Sequence, residues 1–220
     1  MVLALTKIQN YDIKNSSNIK IPQFPQQKIY GIFIFDFMKK IYVITGNEAK
    51  LRDFKKVLSP EIEIVSERLE LFEPQTIDQY EIISHKAREA YTKMQHALCV
   101  DDFGLYISRY NNFPGALTKY IFKTLGYQGI FSLTEDGEPA FYKTIVGFID
   151  QSGIKYFAGV IHGRLTHILP KQFDKDTPLN SIFVPEGQDK TFAELCTQEN
   201  FKSHRAIALE KLKKFLLQIT

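Results

Sequence analysis

The segment Ile41–Lys50, IYVITGNEAK, constrains the fold more than any other stretch of the chain. A β-branched apolar run breaks at Thr-Gly-Asn, and the amphipathic segment EAKLRDFKKVL follows without a spacer. That order reads as a strand, a tight turn and a helix, the repeating unit of an α/β fold. In such folds ligands bind beyond the carboxyl ends of strands, and helix N-termini favour anions. Thr45, Asn47 and Lys50 gather at this tip, so a phosphate site is expected near residue 45.

Composition sets the outer bounds. A chain of 220 residues with 44% hydrophobic content suits one α/β domain or two small lobes. Its 18 Phe and 11 Tyr, with no Trp, predict an aromatic core. A net charge of +3 without a dense Lys/Arg block argues against a nucleic-acid partner. Cys99 and Cys196 read as reduced, buried thiols of a cytoplasmic protein. No apolar run reaches the roughly 18 residues of a membrane span, so no membrane association is expected.

Residues 1–37 differ from the rest. They are rich in Asn, Gln, Ser, Ile and Tyr, contain Pro22 and Pro25, and lack both a clear period and the order of a signal peptide. They read as a variable N-terminal extension, with GIFIF at 31–35 as a candidate edge strand and Met38 as a candidate start. Residues 38–220 read as a single domain. Strands are expected at 41–45, 61–65, 97–101, 105–108, 139–149, 154–165 and 181–184. Helices are expected at 48–58, 78–95, from Pro114-Gly115 to Gly126, at 129–134, from Thr191, and at 203–217.

Asp101 and Asp102 close an expected buried strand, where adjacent carboxylates lose solvation and repel each other. Two readings compensate for that: a turn with a helix cap, or a Mg²⁺ site, since Mg²⁺ takes one or two carboxylates plus phosphate oxygens and water. Glu73, in a loop just before a helix, is a third candidate carboxylate. Lys86, in that next helix, reads as an exposed helical lysine, and spacing alone does not separate that from a functional one. Ser203-His204-Arg205 opens the last helix, with Ser203 as its N-cap. Cations in a first turn oppose the helix dipole, so His204 and Arg205 suggest a nearby anion, or else form a surface basic pair. Adjacent residues at a helix start do not face each other, which excludes a Ser-His nucleophile. There is no zinc-type Cys/His spacing and no GxxxxGK[ST] loop.

Taken together, ITGNEAK (44–50), EPQ (73–75), VDDFGL (100–105), FPGALTKYIFKTLG (113–126), YKTIVGFID (142–150), GRL (163–165), SIFVPEG (181–187), TFAEL (191–195) and SHRAIAL (203–209) carry a resemblance. Over about residues 39 to 218 the chain resembles the inosine triphosphate pyrophosphatase family (the Ham1-like purine NTP pyrophosphatases), archaeal-style members above all. The resemblance implies an α/β fold: an elongated mixed β-sheet flanked by helices, with two lobes around a central cleft. It implies hydrolysis of ITP, dITP or XTP between the α and β phosphates, giving the monophosphate and pyrophosphate. It also implies Mg²⁺ as cofactor, with Mn²⁺ as a substitute, and a homodimer.

Carried over residue by residue, Thr45, Gly46, Asn47 and Lys50 hold the triphosphate. Glu73 and Asp102, with Asp101, bind the metal. Asp102 orients or deprotonates the attacking water, and Lys50 and Lys86 act beside it on phosphate. His204 and Arg205 sit over the base, with Phe103, Leu179, Asn180 and Lys202 around it. An Arg205 donor aimed at a 6-oxo group would reject adenine, which leaves that donor unpaired.

Several positions depart from the family pattern. Leu179 and Asn180 stand where the family has an aromatic and an Asp, Phe103 stands for a Ser or Thr, Leu117 stands for a Tyr, and Lys202 stands near the position of a different Lys. These losses cluster on the base side. The alternative reading is a nucleotide-binding member with weak activity or altered base specificity, extending to a modified pyrimidine triphosphate as in the Maf-type enzymes.

Overall fold

Strand and helix signals alternate along the chain and build one mixed sheet. The computed structural model describes residues 40–168 and 176–218. The N-terminal extension, with its candidate strand at 31–35 and candidate start at Met38, lies outside the described residues. The elements run β1 (Lys40–Ile44), α1 (Glu48–Leu58), β2 (Glu63–Glu67), α2 (Gln79–Met94), β3 (Leu98–Ile107) and β4 (Phe113–Gly115). They continue with α3 (Thr118–Leu133), β5 (Pro139–Asp150), β6 (Gly153–Leu165), β7 (Phe183–Pro185), α4 (Phe192–Leu195) and α5 (His204–Gln218). The sheet has seven strands in the order β2-β1-β3-β5-β6-β7, with β4 added beside β3. β1 is parallel to β2 and β3, and the other pairings are antiparallel.

The expected mixed sheet flanked by helices is therefore present, with local differences. The two expected strands at 97–101 and 105–108 are one strand, β3, so Asp101 and Asp102 lie in mid-strand and not at its end. Gly104, in the gap between the two expected strands, serves a close approach. A Cβ there would stand 2.7 Å from the Gly115 carbonyl oxygen of β4. The first half of the expected strand at 181–184 belongs to a 3₁₀ turn, Pro178–Ile182, and its second half to the strand Phe183–Pro185, which pairs with β6. The expected helices on either side of Gly126 form α3, broken where Gly126 takes a positive φ of 61°.

β3 changes partner along its length. It meets β1 only at Leu98 and Cys99, and meets β4 only from Leu105 to Ile107. On that side the segment Val100–Gly104 has no strand neighbour among the described residues, and it carries both aspartates. Three apolar cores surround this segment. One packs α1 and α5 against Val43, Cys99 and Phe148. Another packs α2 against Leu98, Val100 and Ile145 on the opposite sheet face. The third joins Leu105, Tyr142, Leu179, Phe183 and Phe192 at the far end. The open stretch of β3 therefore lies between cores, and a cleft forms there.

Candidate active site

Alternation along β3 decides the fate of the two aspartates, because neighbouring strand residues point to opposite faces. Asp101 shares the Cys99 face with α1 and α5, and Asp102 shares the Val100 face with α2. The two carboxylates therefore point apart; burial raises the pKa of Asp102, and the charge of Asp101 still adds to that upward shift. Asp101 accepts Lys50 Nζ on Oδ1 at 2.9 Å and Arg205 Nε on Oδ2 at 2.9 Å. Burial alone would raise its pKa, but Lys50 and Arg205 overcome burial and hold it well below the usual carboxylate range. Arg205 also donates through Nη1 to Asp53 Oδ2 at 2.7 Å.

Asp102 accepts Gln79 Nε2 on Oδ2 at 3.0 Å. Burial pushes its carboxyl above the ordinary value, against the opposing pull of Lys50, Lys86 and the Gln79 amide. Lys86 Nζ donates to Glu73 Oε1 at 2.9 Å and to the Asp101 carbonyl at 3.2 Å, capping part of the unpaired edge of β3. Burial disfavours the Lys86 charge, but Glu73, with Asp102 and Asp101, outweighs burial and raises its pKa. Lys50 is shifted the other way: burial lowers it despite Asp101.

The turn after β1 is shaped as its sequence implies. Asn47 caps α1 by accepting the Lys50 amide on Oδ1 at 3.0 Å, and its own amide donates to Thr45 Oγ1 at 3.1 Å. Thr45, Gly46, Asn47, Lys50, Glu73, Lys86, Asp101 and Asp102 all line one cavity of about 960 Å³. Phe103, Leu179, Asn180 and His204 line the same cavity, and so does Arg205, which lies against Asp101. The structure thus brings together every expected site residue except Lys202. That lysine is exposed and paired with Glu210 at 2.7 Å.

Three expectations change. His204 is no cation over an anion: its ring is buried, lies between Phe103 and Phe192 at centroid distances of 5.0 and 5.3 Å, and meets Thr144 Oγ1 through Nδ1 at 2.7 Å. Burial, then Arg205, drive its pKa well below 6.5, so it is neutral at pH 7. The anion that Arg205 implied is internal, namely Asp101 and Asp53. Asp101, expected beside Glu73 and Asp102 at the metal, meets Lys50 through Oδ1 and Arg205 through Oδ2. Cys196 is exposed where a buried thiol was expected, while Cys99 is buried as expected.

Among the described residues no three His, Cys, Asp or Glu side chains form a ready-made metal cluster. Two hard carboxylates, Glu73 and Asp102, do line the cavity. That set suits an ion that takes one or two carboxylates and completes its shell from phosphate and water. Sequence reasoning missed Gln79, Asp53, Phe192, Lys119 and Lys123. The last two line the wall formed by α3, and the charge of Lys119 is felt at Glu73. Lys119, Lys123 and Phe192 stood inside motifs already noted without being singled out, and Asp53 and Gln79 carried no signal of their own.

The comparison with known proteins decides the family. Residues 41–215 match the model of the Ham1 family. The chain belongs to the Ham1 family. A dITP/XTP pyrophosphatase of Saccharolobus solfataricus is 36% identical, over 82% of this chain and 95% of that protein. One of Hyperthermus butylicus is 31% identical, over 81% and 95%. Among solved structures, a HAM1 protein from Coxiella burnetii superposes with a TM-score of 0.68 at 21% identity, covering 81% of this chain and 98% of that one. The Ham1 match leaves residues 1–40 outside it, and within the match fall all the cavity residues named above.

Proposed function

We propose that this Ham1 family member hydrolyses (deoxy)nucleoside triphosphates to the monophosphate and pyrophosphate, with dITP, ITP and XTP as preferred substrates. The observation that carries this reading is the convergence of Thr45, Asn47, Lys50, Lys86, Glu73 and Asp102 at one end of the cavity. The names of the archaeal relatives supply the substrate class. Phosphoryl transfer asks a protein for charge neutralisation, in-line placement and an oriented water more than for covalent chemistry.

The residues divide that work. The α1 N-terminus, with Thr45 and Asn47, receives phosphate oxygens. Lys50 and Lys86, held by protein carboxylates at rest, turn their charge to the triphosphate. Asp102 orients the attacking water and takes its proton. A raised pKa suits that role, because a base works best when its pKa approaches the working pH. Glu73 and Asp102 would hold Mg²⁺, or Mn²⁺ in its place, and the ion when bound neutralises charge on the phosphate oxygens.

Phosphate release coupled to inorganic pyrophosphatase, read with malachite green across ITP, XTP, dITP and the standard NTPs, tests the reading. Turnover strongest with the deaminated purines supports it. No turnover with any nucleotide in the presence of Mg²⁺ or Mn²⁺ would sink it. Altered base specificity is the second reading, favoured by the buried Leu179 and by Asn180 at the base end. Turnover of a pyrimidine triphosphate ahead of ITP would select it. Light scattering tests the homodimer that the resemblance implies.

A further inference from the structure

Gln79, the first residue of α2, is only 1% exposed. A buried primary amide must satisfy two donors and an acceptor within the protein. Its Nε2 donates to Asp102 Oδ2 at 3.0 Å and to the Lys143 carbonyl at 3.4 Å. Its Oε1 accepts the Tyr106 hydroxyl at 2.7 Å. The partners of Nε2 are a carboxylate and a carbonyl, which only accept. A flipped amide would set oxygen against both, so one orientation is selected.

Tyr106 is held just as firmly. Its ring stacks on Phe141 at 4.7 Å with planes 5° apart, and Lys143 Nζ sits 4.5 Å from its centroid. Two glycines make room for it. A Cβ on Gly104 would lie 2.7 Å from Tyr106 Cε2, and one on Gly115 would lie 3.0 Å from Cε1. Tyr106 and Asp102 lie on the same face of β3, four residues apart. The strand thus reaches out to α2 through Tyr106 and returns through Gln79 to its own Asp102. Among the described residues Asp102 Oδ1 accepts no hydrogen bond.

We propose that Gln79 is a positioning residue for Asp102: it fixes Oδ2 so that Oδ1 is presented to the attacking water, and Tyr106 locks the amide that does so. This rests on the reading of Asp102 as the group that orients that water. The full-length chain is assayed with ITP and Mg²⁺. Gln79→Leu lowers kcat by roughly tenfold to a hundredfold while KM stays within about twofold, as loss of placement in the transition state requires. Tyr106→Phe, which removes one oxygen and keeps the stacked ring, lowers kcat by about threefold to tenfold and adds little in the Gln79→Leu background, because the two act in series.

A purely structural role would move the unfolding midpoint and leave kcat in place. Unchanged kcat in both variants, or fully additive losses in the double variant, overturns the proposal while leaving the hydrolase reading intact. If Gln79→Leu does not fold, Tyr106→Phe alone decides: an unchanged kcat overturns the proposal, and a lowered kcat with KM kept supports it. A wild-type chain without turnover would overturn the functional reading itself, and this inference with it.

Discussion

At the strand-tip end of the cavity the side chains are charged and each charge has a protein partner: Lys50 with Asp101, Lys86 with Glu73, Arg205 with Asp101 and Asp53. Around His204 the side chains are rings and apolar chains: Phe103, Phe192, Tyr142 and the buried Leu179. The first end holds its two lysines by ion pairs to carboxylates, positions that a phosphate could also fill. The second is built by packing, and packing does not rearrange cheaply. The proposed function would place chemistry at the charged end and base selection at the packed end.

The strongest test of that division is Asp102→Asn. It should cut kcat by roughly 10²- to 10⁴-fold, the usual contribution of a general base, with nucleotide binding retained in a thermal-shift assay. Activity within a few-fold of wild type would move the chemistry elsewhere. Next comes Asp101→Asn, which leaves Lys50 and Arg205 without their shared buried partner. Breaking such a network costs about 3–5 kcal/mol, read as a lower urea midpoint. An unchanged midpoint would show that the aspartate is not structural.

At the packed end, Leu179→Ala should raise KM for ITP by about threefold to tenfold while kcat changes little, the mark of lost uniform binding. An equal fall in kcat would erase the distinction between the two ends. His204 gives a pH signature. It is neutral when folded and ordinary, near 6.5, when unfolded, so only the unfolded chain takes up a proton as pH falls below that value. Stability should be flat above pH 6.5 and fall by up to about 1.4 kcal/mol per pH unit below it. Asp101, shifted below 3.8, contributes stability that is lost only as pH falls below that value, so the two losses begin at different pH. His204→Asn should flatten the upper window. The smallest effect is expected from Lys202→Ala: KM for ITP unchanged, since that side chain lies outside the cavity and pairs with Glu210 on the surface.

The charged end was legible in the sequence because its signals are local. Asn47 caps the helix that its own motif begins, and Lys50 lies one turn further on. Asp101 and Asp102 were visible as a pair, but not their division of labour, because strand length was misjudged at Gly104. That glycine answers to β4, a contact that no local pattern contains. His204 was misread for a similar reason. Its position at a helix start is local, while Phe103, Phe192 and Thr144 come from β3, α4 and β5. Gln79 carried no signal at all, since a buried glutamine at a helix start is written like an exposed one.

The pairing of a salt-bridged aspartate with one proposed to face the attacking water has a consequence for how this chain can vary. The two differ in nothing but parity along β3. One residue inserted or removed between Leu98 and Asp101 would turn each carboxylate to the other face, setting the salt-bridged position against α2 and the water-facing position against α1 and α5. The side chains would all survive, and the site would be lost. Substitution is negotiable in this strand; length is not.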